Sequence, residues 1–466
     1  VATFSPTDGF NETEPTLISD GSIQSGTGAE YRVGETGLFV ARGRDLQGTV
    51  AGTTAQGLYE AGFDGTSQYV IAHTGDSYSA ALIAPSGLSF FIIDSLAVNT
   101  LPVVGTHYAN RHYLANGVQN RRVEAVAASG LTTFPIGMST TLMAVGVSVS
   151  GTSGSMSATT GLEYWVTEYD SVRGIESVHG ATAHTGAIAS QASVVITATG
   201  TSTNTRADKL RWYRSTDGGG FPDGGLIRET AISTTTITDT NAITGSLTVP
   251  QYGIISVGGL DTDRDEAPPA FSTIFGPFED SLLGVAVNDP RVLRFTPAGY
   301  PDSWPATYAI PMETRRRDEI VTGVVLPGRI GVFCNDSVQV VNRLPRDSDS
   351  IFAAGEAQET LTDARGCISR RGATTFTPPG SGGLAAWVSR DGIWLSNLVA
   401  APVPVTDKLD WDGRVNIARL SSCRLMDDVT NRRLVFLHWR VADTTYPTGL
   451  WYLDYQEYGS RGLRVT

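Results

Sequence analysis

Between Gly57 and Asp94 the chain alternates short apolar and aromatic runs with tight-turn residues. The runs are GLYEAGF (57–63), SQYVIAH (67–73), SYSAALIA (77–84) and LSFFIID (88–94). The breaks are Asp64-Gly65-Thr66, Thr74-Gly75-Asp76 and Pro85-Ser86-Gly87. β-Branched and aromatic residues suit a pleated, half-buried surface, while Asp-Gly and Gly-Asp supply the positive φ of a short hairpin loop. The pattern predicts a four-stranded meander, the size of one propeller blade.

A second unit of this kind is expected over 98–138, with turn signals at Asn116-Gly117 and Ser129-Gly130. From 268 onward the same texture returns. Hairpins are predicted at 282–295 around Asn288-Asp289-Pro290, at 383–397 around Asp391-Gly392, and at 432–455. Three strands joined by Pro327-Gly328 and Asn335-Asp336 are predicted over 319–342. Between the two repeating stretches, residues 148–161 are nearly all Ser, Gly and Thr and read as a linker. Beyond it, 164–177, 193–200, 209–219 and 234–240 alternate aromatic and polar residues as longer strands, enough for a small β-sandwich. No Cys…Trp…Cys signature accompanies them, so the immunoglobulin comparison concerns fold alone.

The expected architecture is all-β. Residues 1–50 form an N-terminal arm or closing strand, and 51–150 the first part of a β-propeller. An immunoglobulin/fibronectin-like β-sandwich is inserted at 162–245, and 250–466 completes the propeller. Setting arm and insert aside leaves roughly 315 residues, which at ~40–50 per blade gives six or seven blades.

Composition narrows the function. Hydrophobic residues make up 41% of the 466 and charged residues 17%, with 52 Gly against 22 Pro, too apolar for a disordered chain and too turn-rich for long helices. No apolar run approaches the ~18 residues of a membrane-spanning helix. The net charge of −13 argues against tight, sequence-independent binding of a nucleic-acid duplex, which draws on Lys and Arg. Cys334, Cys367 and Cys423 are few, odd in number and without CxxC spacing, so neither a disulfide framework nor a zinc knuckle is expected. Val1-Ala2-Thr3 has neither a signal-peptide core nor an initiator Met, which points to a processed chain or a fragment.

Candidate chemistry is sparse. The phosphate-cradling GxxxxGK[ST] loop, HExxH and GxSxG are absent from the sequence. His107 and His112, five apart in a strand-like segment, are expected on opposite faces and not as a shared metal site. His179 and His184 read as loop histidines. Asp64, Asp76, Asp336 and Asp391 sit in predicted turns, where aspartate accepts backbone hydrogen bonds. Ser389-Arg390-Asp391-Gly392-Ile393-Trp394 resembles the Asp-box turn of sialidase propellers, with Ser215-Thr216-Asp217-Gly218 a weaker echo. That device is a structural hairpin, remote from catalysis. No catalytic, cofactor or metal residue is expected, and the chain reads as a non-enzyme without cofactors. The arginine clusters Arg121-Arg122, Arg315-Arg316-Arg317 and Arg370-Arg371 are the candidate site residues, as DNA-channel or inter-subunit contacts. Strand-end solvation or inter-subunit ion pairs are the plainer reading of all of them, as of Arg432-Arg433, and contact with passing DNA the sharper one.

The opening also resembles bacteriophage tail and DNA-stabilisation proteins, through Gly9-Phe10-Asn11, Asp20-Gly21 and Gly37-Leu38 to Arg42-Gly43. The insert is similar to the fibronectin-like module of that family, in the strands Tyr164–Asp170 and Leu210–Arg214, the step Glu176-Ser177 and the strand end Thr234–Thr240. Pro268–Trp304 looks like the adjoining blade of nozzle proteins in short-tailed phages. The resemblance implies a virion component of the tail, a nozzle or tail-tube ring of six copies lining the DNA-ejection channel. Its implied partners are further copies of itself, the adaptor and portal and other tail proteins, and viral DNA in transit without tight binding. An alternative is a carbohydrate-binding or glycan-cleaving propeller at a tail tip. It requires Trp387, Trp394, Trp439 and Trp451 to line one exposed groove, whereas strand tryptophans belong by default to the core. A third reading, an unrelated extracellular adhesion protein, predicts a secretory precursor.

Overall fold

The computed structural model describes most of residues 103–240, 267–345 and 358–456, with strand segments at 31–34, 37–40, 55–63, 67–74, 77–82, 91–95, 254–257, 260–263 and 464–465. The described residues hold six four-stranded antiparallel sheets, each an uninterrupted meander of consecutive strands. Blade 1 comprises Ala55–Phe63, Ser67–Thr74, Ser77–Leu82 and Phe91–Ser95. Blade 2 comprises Val104–Tyr108, Arg111–Ala115, Asn120–Val126 and Gly130–Pro135. Blades 3 to 6 start at Phe271, Ile320, Ala373 and Arg424. Both meanders expected before the insert are present; the centres of the three turns expected in blade 1 lie outside the described residues, as does most of 1–50.

The sheets form a ring because every strand between two blades must bury both of its faces. Side chains alternate across a strand, so each blade offers one set to the blade before it and the other to the blade after. On the second strand of blade 2, Leu114 faces blade 1 with Ile71, Tyr78 and Val123, while Tyr113 and Ala115 face blade 3 with Phe271, Ile274 and Trp304. Separate apolar clusters then join blades 3 and 4 around Phe275 and Ile330, 4 and 5 around Phe333 and Trp387, and 5 and 6 around Phe436 and Trp411. In blade 3 the strand Ser281–Ala286 is buried at every position, as a two-faced strand demands. Approach is closest between first strands: a Cβ added to Gly323 of blade 4 would lie 2.2 Å from Phe275 Cζ of blade 3. The hairpin Tyr31–Gly34/Gly37–Val40 lies against the first strands of blade 6 and blade 1, where the ring closes. The protein is a β-propeller.

Between blades 2 and 3 the chain departs into a sandwich. One sheet has the order Ala144–Ser150, Ser193–Thr199, Thr236–Asp239. The other is built on Glu163–Asp170 and Lys209–Ser215, with Ile175–Glu176, Ala183–His184 and Gly224–Ala231 alongside. Its core, including Met143, Tyr164, Val194, Ile196 and Trp212, belongs to the sandwich alone. The module starts earlier than its expected boundary at 162. Ser148, Val149 and Ser150, expected in a linker, end a strand paired in register with Ser193–Val195. That strand reads Ala-Val-Gly-Val-Ser-Val-Ser, and the alternation of Val145, Val147 and Val149 is a strand signal, but its last three residues are exposed and run without a break into the Ser/Gly/Thr stretch that follows.

Candidate functional site

The arginine clusters are distributed by strand periodicity. Arg121 and Arg122 are neighbours on the third strand of blade 2 and therefore point to opposite faces. Arg121 turns toward blade 1, where its Nε lies 2.7 Å from Asp94 Oδ2, an oxygen that also accepts from Thr133 Oγ1 at 2.6 Å. Arg122 turns toward blade 3 and the sandwich, with none of its side chain exposed.

Around Arg122 lies a joint of three bodies. Its Nη1 donates to Asp302 Oδ2 in the long third-to-fourth-strand connection of blade 3, and its Nε lies 3.4 Å from Glu124 Oε2 on its own strand. Arg111 reaches both carboxylates, at 3.5 Å from Glu124 and 3.6 Å from Asp302. From the sandwich, Arg173 Nε donates to Glu124 Oε1 at 2.5 Å while its Nη1 lies 3.2 Å from Asp170. Arg206 Nη2 donates to the Gly137 carbonyl at 2.7 Å, where the chain leaves blade 2. The Phe134 ring sits amid the cations: guanidinium carbons lie 3.8 Å from its centroid for Arg173, 5.6 Å for Arg206 and 5.8 Å for Arg122. Burial, with the like charges of Arg122 and Arg173, brings the Arg206 guanidinium down to about 10. Planar guanidinium groups suit such shared carboxylates because several fixed donors define an orientation. Asn204 adds a reciprocal pair, its Oδ1 accepting from Ser139 N and its Nδ2 donating to Ser139 O, both at 3.0 Å.

The other candidate arginines lie elsewhere. Arg370 and Arg371 precede the first strand of blade 5, on the face where the first strands begin. Arg371 Nε donates to the Val103 carbonyl at 3.1 Å, at the start of blade 2, three blades away round the ring. An arginine side chain thus spans the axial opening. Arg370 is half-buried; burial lowers its guanidinium from the ordinary value and the Glu319 carboxylate opposes that shift. Arg317 is exposed in a left-handed turn (φ 52°) before blade 4, and Arg315 and Arg316 lie outside the described residues. The structure therefore does not gather the five described arginines into one surface, and Arg122, enclosed within the chain, is corrected from a surface contact to an internal one.

Two further expectations change. His107 and His112 are not on one strand: Ala109 and Asn110, at φ 49° and 58°, turn a hairpin between them, and the two histidines are direct cross-strand partners with ring centroids 6.3 Å apart. Burial, then the neighbouring His107, lowers His112 to about 3. The tryptophans of the carbohydrate reading are not a groove, since Trp387, Trp439 and Trp451 are buried and Trp394 is half-buried. The Asp391 turn is a hairpin, as expected: Asp391 accepts from Trp394 Nε1 at 3.0 Å and lies 3.0 Å from Arg365. Among the described residues no group of three or more His, Cys, Asp or Glu side chains is placed to hold a metal ion, and no helix is long and apolar enough to cross a membrane.

No protein-family model matches the sequence, and no curated protein matches it. Among solved structures the chain is similar to apo AztD from Citrobacter koseri, at 11% identity and a TM-score of 0.29 over 76% of this chain and 71% of that one. It is also similar to virginiamycin B lyase from Staphylococcus aureus, at 11% identity and a TM-score of 0.31 over 82% of this chain and 92% of that one. Likeness at this level carries no argument about what the site does.

Proposed function

We propose that the chain is a structural subunit of a phage tail, assembling with copies of itself into a ring, a hexamer by the family resemblance, around the path of the ejected DNA. The observation that supports this most is the order of parts, two blades, a sandwich, then four blades: a propeller interrupted by a sandwich is what the resemblance to tail nozzle proteins implies. A DNA conduit in this reading runs between subunits and not through one propeller, whose own axis is spanned by Arg371. Subunit contacts have a suitable surface on the outer edge of blade 5. There the uncharged run Val399 to Pro404 carries Val399, in the connection, and Val403, on an edge strand of only two residues, at 60% exposure each. An exposed apolar edge is a liability in a monomer and an asset in an assembly.

Mass measurement and negative-stain imaging of the purified chain test the proposal. Closed rings of uniform copy number are expected. A monomer that persists at high concentration, together with its absence from virions, would sink it.

A further inference from the structure

We infer that the sandwich is a releasable arm, docked on blades 2 and 3 by the ion-pair joint and able to swing off it as a folded unit. Three observations lead there. First, the apolar cores are separate: the cluster around Trp212 and Ile196 contains only sandwich residues, and the cluster around Tyr113 and Phe271 only residues of blades 2 and 3 and their connections. Second, the groups that meet across the gap are charged or polar: Arg173 on Glu124, Arg206 on the Gly137 carbonyl, Asn204 on Ser139, and two guanidinium groups from the sandwich on Phe134. Third, the joint is incompletely satisfied. Arg122 Nη2, Arg206 Nη1, Asp302 Oδ1 and Glu168 Oε1 are buried without a hydrogen-bond partner among the described residues.

These features give a contact of high geometric specificity and small net strength. Ion pairs buried at the joint have surrendered their hydration, and undocking returns it, which offsets much of the lost attraction. A hydrophobic interface has no such compensation, because exposing apolar surface is unfavourable throughout. Relative motion is the ordinary expectation for modules whose shared interface is neither large nor apolar. The joint therefore sets one docked orientation while leaving a second, undocked state within reach.

The arm is tested by pulsed dipolar distance measurements on the whole chain, with spin labels at Thr236→Cys on the sandwich and Val287→Cys on blade 3. Both positions are exposed, whereas the three native cysteines are buried. The parent is expected to show one dominant, docked distance. Adding Arg173→Ala, which takes one cation from Glu124 and Asp170, is expected to raise the population away from that distance by about 100-fold or more relative to docked, the scale for breaking a buried pair. Circular dichroism must remain that of the folded protein. An unchanged distance distribution in a folded Arg173→Ala chain overturns the inference. Should that variant unfold, Asn204→Ala in the same labelled chain decides, since it removes the reciprocal pair with Ser139: a larger population away from the docked distance is expected, and an unchanged distribution overturns the inference.

Discussion

Replacing Asp302 by Asn removes one carboxylate from Arg122 while keeping its shape, and so isolates charge from packing. The Arg122 side chain is fully enclosed and loses its direct partner, but Glu124 remains 3.4 Å from its Nε. Breaking a buried pair by removing one member costs about 3–5 kcal/mol, and the surviving carboxylate places this case at about 3 kcal/mol. The double variant Arg122→Met/Asp302→Asn no longer encloses the Arg122 cation without its partner and is expected within about 1 kcal/mol of the parent, because apolar replacement of a buried pair is close to neutral. The two substitutions should therefore couple by about 2 kcal/mol or more. A chain of several bodies does not unfold in two states, so the suitable assay is native-state hydrogen exchange of the strands 111–115 and 120–126, which reads local opening free energy directly. A loss below about 0.5 kcal/mol for Asp302→Asn, or a double variant as impaired as the sum of its parts, would refute the reasoning.

Gly323→Ala drives a methyl group into the Phe275 ring at the contact of the first strands of blades 3 and 4, and is expected to cost about 1–3 kcal/mol as a lowered melting temperature. An unchanged melting temperature would show that these blades can separate freely. His438, buried beside Gly449, is held down to about 4, chiefly by its burial. Its folded value lies below the ordinary 6.5, so unfolding takes up a proton between these values. Its contribution to stability is complete above pH 6.5 and is lost as pH falls toward 4. His438→Gln should flatten the fall of melting temperature across that window, and identical slopes in parent and variant would contradict it.

The blades were legible in the sequence because their turns carry chemistry. Pro327-Gly328 and Asp391-Gly392 mark two of the hairpins, and Gly328 and Gly392 do have positive φ. Where a turn lacks glycine the signal fails: Ala109 and Asn110 take left-handed conformations without announcing it, and the pairing of His107 with His112 went unread for that reason. The strand Ala144–Ser150 was legible in part: Val145, Val147 and Val149 alternate with small residues, but the exposed Ser148 and Ser150 merge with the Ser/Gly/Thr stretch that follows and blur its end. The joint was the least legible feature. Arg122 and Asp302 are 180 positions apart, and a dibasic step at a strand looks the same whether it meets solvent or a carboxylate from another blade. Period-two alternation alone could have shown that Arg121 and Arg122 cannot share a surface.

Cryo-electron microscopy of virions containing this chain tests the central proposal most directly. The account predicts a six-fold ring around the DNA path, each subunit a propeller with its sandwich beside blades 2 and 3. A tail in which the chain appears as an isolated copy, off the DNA axis and without contacts to its own kind, would contradict it.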